Sequence, residues 1–378
     1  GLFMIFQANP QPLLSGNKIG SIKMGSVRTL LAIAVVFAHS YGFVFTGGKL
    51  AVQVFYIISG YLISLILLSN PSYLNLKNFY MNRWLRLFPI YLLVAFLSLT
   101  AFTLSYYMGN DLFFYIYEDV GLKASILLVI SNIFIIGQDL VFLTGVSDGV
   151  FGFTTDFTQS EIPVWNGLLV PQAWTLSLEI LFYVIAPFIL KDKKVWLTLM
   201  FLSLILRGYL IHIGIGNNSF FSHRFFPTEL ALFLFGALSH QIIKPAYQNL
   251  NILENSLIMN TATATSILFV IFYFLIPVNR IYLELVLIIF IMLTLPFLAN
   301  FQKKFKIDNF IGSLSYPIYI GHILIISVIS FFGNAFNFKD TWIYIPLILS
   351  STIVFAFFLE ILINQKIDKL RTKIRNYE

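Results

Sequence analysis

The 378-residue chain contains no cysteine. Disulfides, thiolate metal sites and a cysteine acyl-enzyme are therefore excluded, and the composition carries no sign of a redox compartment. Charge is scarce as well: Asp, Glu, Lys and Arg together make up 11% of the chain, against roughly 25% in soluble domains. A surface so poor in charge would not stay in water. What takes its place is apolar, with 58% hydrophobic and 17% aromatic residues and a mean hydropathy of +0.84. Long apolar runs imply lipid as solvent and helices as the solution, because each helix satisfies its own backbone hydrogen bonds. The fold class read from this pattern is all-α: a polytopic transmembrane helical bundle. No internal repeat or low-complexity linker is evident.

Runs long enough to cross lipid fall at about 26–45, 50–69, 87–108, 172–190, 195–214, 228–244, 259–277, 281–299, 313–332 and 342–363. An eleventh apolar stretch, about 123–143, holds Asn132, Gln138 and Asp139 in its interior. The distribution of the +7 net charge resolves it. Lys18, Lys23 and Arg28 precede the first run, which puts the N-terminus in the cytoplasm by the positive-inside rule. Ten crossings then place 18 of the 24 basic residues on one side, from Lys77, Arg83 and Arg86 through Lys191–Lys194 and Lys303–Lys306 to the tail. Asp111, Glu118, Asp119, Asp148, Asp156, Glu161 and Asp340 lie opposite. A full crossing by 123–143 would invert this order, so that stretch is expected to be an outer re-entrant or interfacial hairpin. Both termini are expected in the cytoplasm. The basic charge follows membrane topology, so membrane lipids and not nucleic acid are the expected surroundings. Residues 1–20 read as a leading segment without signal-peptide character, with Met4 or Met24 as candidate natural starts. Residues 21–365 form the membrane domain and 366–378 a basic cytoplasmic tail.

Ionisable groups inside spans are costly unless paired or facing a cavity, so each is a functional candidate. Arg28 and His39 lie eleven residues apart on the first span, on one helical face and about 16 Å apart along the axis. A satisfied core histidine and a snorkelling arginine are the plain alternatives. Arg83 and Arg86 share a face at i, i+3. Two guanidinium forks suit a phosphate-bearing cytosolic ligand, with positive-inside anchoring as the alternative. Glu179 sits about two turns into its span, and counting residues puts it level with Arg207 and His39, about 10 Å below the outer boundary. Arg224 and Glu229 fall just above that layer, and His322 nearer the midplane with Tyr316 and Tyr319 below it. The plain reading of the layer is a structural Glu–Arg pair.

Five segments occur in a set order: Arg28 followed by ten residues and His39; VFYIISGYLIS at 54–64; Arg83-x-x-Arg86 with LFPIY; AWTLSLEILFY at 173–183; and SLSYPIYIGH at 313–322. Together they resemble acyltransferase family 3, membrane-bound enzymes, mostly bacterial, that acylate cell-surface sugars. The resemblance runs from about residue 20 to 365. It implies ten core spans in a bacterial inner membrane and an acyl-CoA co-substrate, acetyl-CoA by default, with no metal. It further implies that His39 is catalytic with Arg28 as its required companion, and that Arg83 and Arg86, joined by Arg28, hold the acyl-CoA. The family's Glu-Glu-Gln-Phe-Tyr pattern is here Glu179-Ile-Leu-Phe-Tyr, so one carboxylate remains, and Glu179 is expected to orient His39 or the acceptor. Arg207, Trp174, Tyr61 and His322 are the candidates for contact with a glycan or lipid-linked glycan acceptor, with Arg207 balancing the charge of Glu179. The competing class is a transporter or flippase using His39, Glu179 and Arg207 as a relay. Neither oligomeric state nor the identity of the acceptor is legible.

The charge order generates a direct test. In this cysteine-free chain, Asp156→Cys should react with an impermeant thiol reagent from outside the cell, and cysteines replacing Lys193 or Lys304 only from the cytosolic side. Labelling of position 156 from the cytosol alone would remove the hairpin assignment.

Overall fold

The computed structural model describes residues 24–109, 113–339 and 341–375, with the side chain of Lys306 left aside. Lys18, Lys23, Asp111, Asp340 and the leading segment 1–20 lie outside the described residues. The chain is an all-α bundle. In order, α1 spans Gly25–Ser40, α2 Gly47–Ser69 and α3 Leu76–Tyr107. Short α4 (Phe114–Asp119), α5 (Gly121–Phe134) and α6 (Gln138–Val141) lead to the hairpin β1 (Thr144–Ser147) and β2 (Val150–Phe153). Then come α7 (Trp174–Ile189), α8 (Lys193–His212), α9 (Ser219–His223), α10 (Phe226–Leu238) and α11 (Lys244–Asn249). The chain continues through α12 (Ser256–Phe272), α13 (Arg280–Lys304), α14 (Lys306–Ala335), α15 (Tyr344–Leu359) and α16 (Gln365–Arg375).

Among the described residues nine helices are long and apolar enough to cross a membrane. The first expected span is α1, whose 16 residues cover about 24 Å, less than a hydrocarbon core of about 30 Å. Helices also run beyond their apolar windows. α3 begins at Leu76, eleven residues before the expected span, because Asn75 Oδ1 accepts the Lys77 N–H at 3.0 Å. Asp192, Asn255 and Asn279 start α8, α12 and α13 in the same way. The expected basic tail is helical from Gln365 to Arg375 and continues α15 through a π-turn at Glu360–Asn364.

The stretch 123–143 does not continue as one helix. α5 is 14 residues, about 21 Å, and the chain reverses through Ile135 (φ 67°) and Gly137 (φ 86°). Its polar residues drive the reversal, since lipid offers them no partner. Asn132 Nδ2 donates to Gly167 O (2.9 Å) and Tyr117 Oη (3.0 Å), Gln138 Nε2 to Tyr91 Oη (2.9 Å), and Asp139 Oδ1 accepts from Ser177 Oγ (2.5 Å). The hairpin that follows turns at Asp148-Gly149, both at positive φ.

α1 is held centrally between α2 and α14. Asp308 of α14 caps it from outside: Oδ2 accepts Gly25 N–H and Oδ1 accepts Ser26 N–H, each at 2.8 Å. A carboxylate there also meets the positive end of the helix dipole. α2 and α10 approach backbone to backbone, and a Cβ added at Gly60 would lie 1.8 Å from Phe233 O. Phe233 then stacks on Tyr56 (4.7 Å) and Phe182 (4.5 Å), tying α2, α10 and α7 together.

Gly60→Ala should destabilise the bundle by about 1–3 kcal/mol through overpacking against backbone that cannot yield. Gly208→Ala, at a helical position with open space around it, should be neutral or slightly stabilising. Thermal unfolding in detergent compares the two, and equal midpoints would show that the α2–α10 approach is not limiting.

Candidate active site

The end of the bundle at which α1 begins gathers positive charge. Arg28 comes from the first turn of α1, and Arg83 and Arg86 from the second and third turns of α3. Arg83 is 5% exposed; its Nη2 donates to Asn82 Oδ1 at 2.5 Å, and it lies over the rings of Phe79 and Tyr183. Arg86 and Arg28 are half-buried and open onto one cavity. Its walls come from five helices: Arg28 of α1, Phe55, Tyr56 and Ser59 of α2, Arg86 of α3, Thr175 and Glu179 of α7, and Tyr316 and Tyr319 of α14. The Arg28 guanidinium sits 5.9 Å from the Phe55 ring. Glu179 accepts hydrogen bonds from Ser59 Oγ at 2.6 Å and from the Tyr183 hydroxyl. Its charge acts on Arg28, Arg83 and Arg86, so the cavity wall is polar on one side and aromatic on the other.

His39 stands at the other end of α1, exposed at the mouth of the bundle. Its Nδ1 lies 2.9 Å from Val35 O and 3.2 Å from Nε2 of fully buried His322, whose own Nδ1 is 2.6 Å from Tyr319 O. A carbonyl oxygen only accepts, so in the neutral rings each Nδ1 carries the proton. His322 Nε2 is then an acceptor facing the His39 Nδ1–H. His39 Nε2 remains as a basic nitrogen. Arg224 is held in an aromatic cage, 4.7 Å from the rings of Phe142 and Trp174 and 5.4 Å from Phe157. Its Nη1 donates to Ser219 O and Oγ while its Nε is buried without a partner, and its charge reaches His39. His223 packs edge-on to Trp174 at 5.5 Å. His39 is not among the residues that line the cavity, whereas Tyr319 is, with its ring 5.9 Å from that of His322.

The structure thus joins Arg28, Arg86 and Glu179 at one place, and His39, His322 and the Trp174–Arg224 group at another. It does not set His39, Glu179 and Arg207 in one layer. Residue counting placed Glu179 too high because α7 begins inside the bundle: Gln172 and Ala173 are buried, and Gln172 Nε2 donates to Ile320 O at 2.6 Å. Arg207 does not face Glu179. It pairs with fully buried Glu229, which Gln53 Nε2 also approaches at 3.4 Å. This is the structural Glu–Arg pair, with a different carboxylate. Tyr61 is buried and packs against His240 at 5.4 Å, away from the cavity walls. Arg224 stood in the sequence as one more ionisable residue above the layer. Only the aromatic rings contributed by three segments show what holds it. Among the described residues no group of three or more metal-ligating side chains converges.

The acyltransferase domain family known as family 3 matches residues 23–361. An uncharacterised protein of Aquifex aeolicus is 26% identical over 215 residues, 56% of this chain and 93% of its own length. The O-acetyltransferase OatA of Staphylococcus aureus is 26% identical over 208 residues, which is 52% of this chain but only 30% of OatA. A further Staphylococcus aureus protein is 24% identical over 360 residues, covering 88% of this chain and 55% of its own length. No solved structure matches the chain.

Removing the positive partner of Glu229 should expose the cost of a lone buried carboxylate. Arg207→Met is expected to cost on the order of 3 kcal/mol, and adding Glu229→Gln to recover most of it. Thermal unfolding of the single and double variants measures this. A double variant no more stable than the single one would show that the pair is not what Arg207 contributes.

Proposed function

Because the chain belongs to acyltransferase family 3, we propose that this multi-pass membrane acyltransferase moves an acyl group, acetyl by default, from cytosolic acyl-CoA to a hydroxyl of a cell-envelope glycan or lipid-linked glycan. The observation that carries the reading is the arrangement along α1. A cluster of guanidiniums opens onto a cavity at one end, and a histidine with one basic nitrogen stands exposed at the other. The bearer of the donor's phosphates cannot cross lipid, so Arg83 and Arg86 face the cytosol of a bacterial cytoplasmic membrane and His39 faces outward. The O-acetyltransferase name of the Staphylococcus aureus relative OatA supports an oxygen acceptor.

In this reading Arg83 and Arg86 take the phosphates as charge-assisted forks. Arg28 and Glu179 line the channel that receives the extended pantetheine arm, whose reach is comparable to the axial interval of about 16 Å from Arg28 to His39. The thioester reaches His39 once the Tyr319 side chain moves aside. His39 Nε2 then takes the proton of the acceptor hydroxyl as its oxygen attacks the thioester carbonyl carbon. A C–O bond forms, the C–S bond breaks, and the departing CoA thiolate receives that proton back from His39. His322 holds the His39 tautomer through its accepting Nε2. Arg224 adds a fixed positive charge on the side where the carbonyl oxygen becomes negative.

His39→Ala should leave acetyl-CoA binding near normal and lower acyl transfer by roughly 10²–10⁴-fold, the usual worth of a positioned base. In the unsubstituted enzyme transfer should rise with pH as the His39 imidazole loses its proton and becomes a competent base. Arg28→Ala should lower turnover yet keep that pH dependence, because it stands about 16 Å along the helix and accepts no proton. Transfer at near wild-type rate in a folded His39→Ala protein defeats the mechanism.

A further inference from the structure

α16 lies against the opening of α3. Asn82 Nδ2 donates to Arg371 O at 3.2 Å, and Ser72 Oγ to Ile374 O at 2.8 Å. Arg371 is thereby brought to Asn82, 289 positions away along the chain, and its Nε and Nη2 approach Asn82 Oδ1 at 3.4 Å each. The same oxygen accepts from Arg83. One amide oxygen therefore sits among donors from two arginines, and the charge of Arg371 acts on both Arg83 and Arg86. Arg86 in turn acts on Arg28 across the cavity.

Four guanidiniums follow one another from α16 through α3 to α1. Among the described residues, Asp368 lies 2.5 Å from Arg371 Nη1, and Glu179 acts on Arg28 and Arg86. Like charges gathered this closely repel one another. Arg83 is nearly fully buried, and its Nε has no hydrogen-bond partner. A charged donor in that state is expensive unless an anion completes it. A topology anchor would extend its head to the surface water; Arg83 does the opposite.

We propose that Arg371, carried in by the C-terminal helix, completes with Arg83 and Arg86 a binding site for the phosphate groups of the acyl-CoA donor. The ligand chemistry is a clustered phosphate anion, which a phospholipid headgroup also offers. Continuity of the cluster with the cavity through Arg86 and Arg28 favours the donor. The inference rests on the donor reading given above and adds α16 to it. The sequence alone assigned Arg371 to a basic cytoplasmic tail.

The test uses the full chain in phosphatidylcholine nanodiscs, with acetyl-CoA and the phosphate-free S-acetylpantetheine as probes. Arg371→Gln should raise the Kd for acetyl-CoA about ten- to a hundredfold, the range for a charge-assisted hydrogen bond, and leave that for S-acetylpantetheine within twofold. Lys373→Gln, on the exposed side of the same helix, should change neither. If Arg371→Gln does not fold, Arg371→Lys keeps the charge without the fork and should still weaken acetyl-CoA several-fold and selectively; no loss there overturns the proposal. Equal weakening of both probes assigns Arg371 a structural role and overturns it as well. A preference for acetyl-CoA lost in Arg83→Gln but kept in Arg371→Gln defeats the inference alone. A wild-type protein with no preference for acetyl-CoA over S-acetylpantetheine defeats the donor reading and the inference together. Phosphatidylglycerol that co-purifies with the wild type but not with Arg371→Gln, at unchanged acetyl-CoA affinity, gives the site to a lipid headgroup and overturns the proposal.

Discussion

A charge taken into a lipid-solvated bundle must be neutralised by a neighbour, dispersed over polarisable rings or left for a ligand, because water does not reach it. This chain uses the first two solutions, and the proposed donor site uses the third. Glu229 is closed off by Arg207 and Gln53, so its negative charge is spent within the fold. Arg224 is dispersed over Phe142, Phe157 and Trp174 while its Nε stays without a partner. The guanidiniums run from Arg371 through Arg83 to Arg86 and Arg28, and the last two border the cavity. In the proposed mechanism the last two arrangements are the ones that act on the substrate.

α1 connects those places, and much of the surrounding structure fixes its position. Its N-terminus is capped by Asp308 of a different helix, and a Cβ at Gly25 would lie 1.5 Å from Asp308 O, so the approach is possible only for glycine. Thr29 Oγ1 donates to Ile311 O at 2.7 Å one turn later. At the far end His39 meets His322, also on α14. The α1–α14 pair thus sets both the height of Arg28 and the protonated nitrogen of His39. At 16 residues α1 is short for a crossing, with Arg28 half-buried at one end and His39 exposed at the other.

The chain between α3 and α7 shows the same rule applied to backbone. An apolar stretch long enough to tempt a crossing is broken by residues whose side chains find partners only by turning back. Asn132 bonds to Gly167, Gln138 to Tyr91 and Asp139 to Ser177. The return path delivers Phe142 and Phe157 to the guanidinium of Arg224. The segment that turns back therefore builds part of the cage around Arg224.

The sequence by itself determined the helical membrane fold, the family, and the segments that carry Arg28, His39, Arg83, Arg86, Glu179 and His322, because hydropathy and helical spacing are local quantities. It also held the reason that 123–143 is no ordinary span, since polar side chains at that depth need partners. The tertiary structure alone decided who those partners are. Glu179 belongs with Arg28 and Arg86 and not with His39, because α7 starts within the bundle and residue counting measures depth only from a known boundary. Arg207 answers Glu229, Tyr61 turns to His240, and Arg371 reaches Asn82 across 289 positions. Each of these depends on how helices lean and pack against one another, and the periodicity of a single helix carries no information about its neighbour's height.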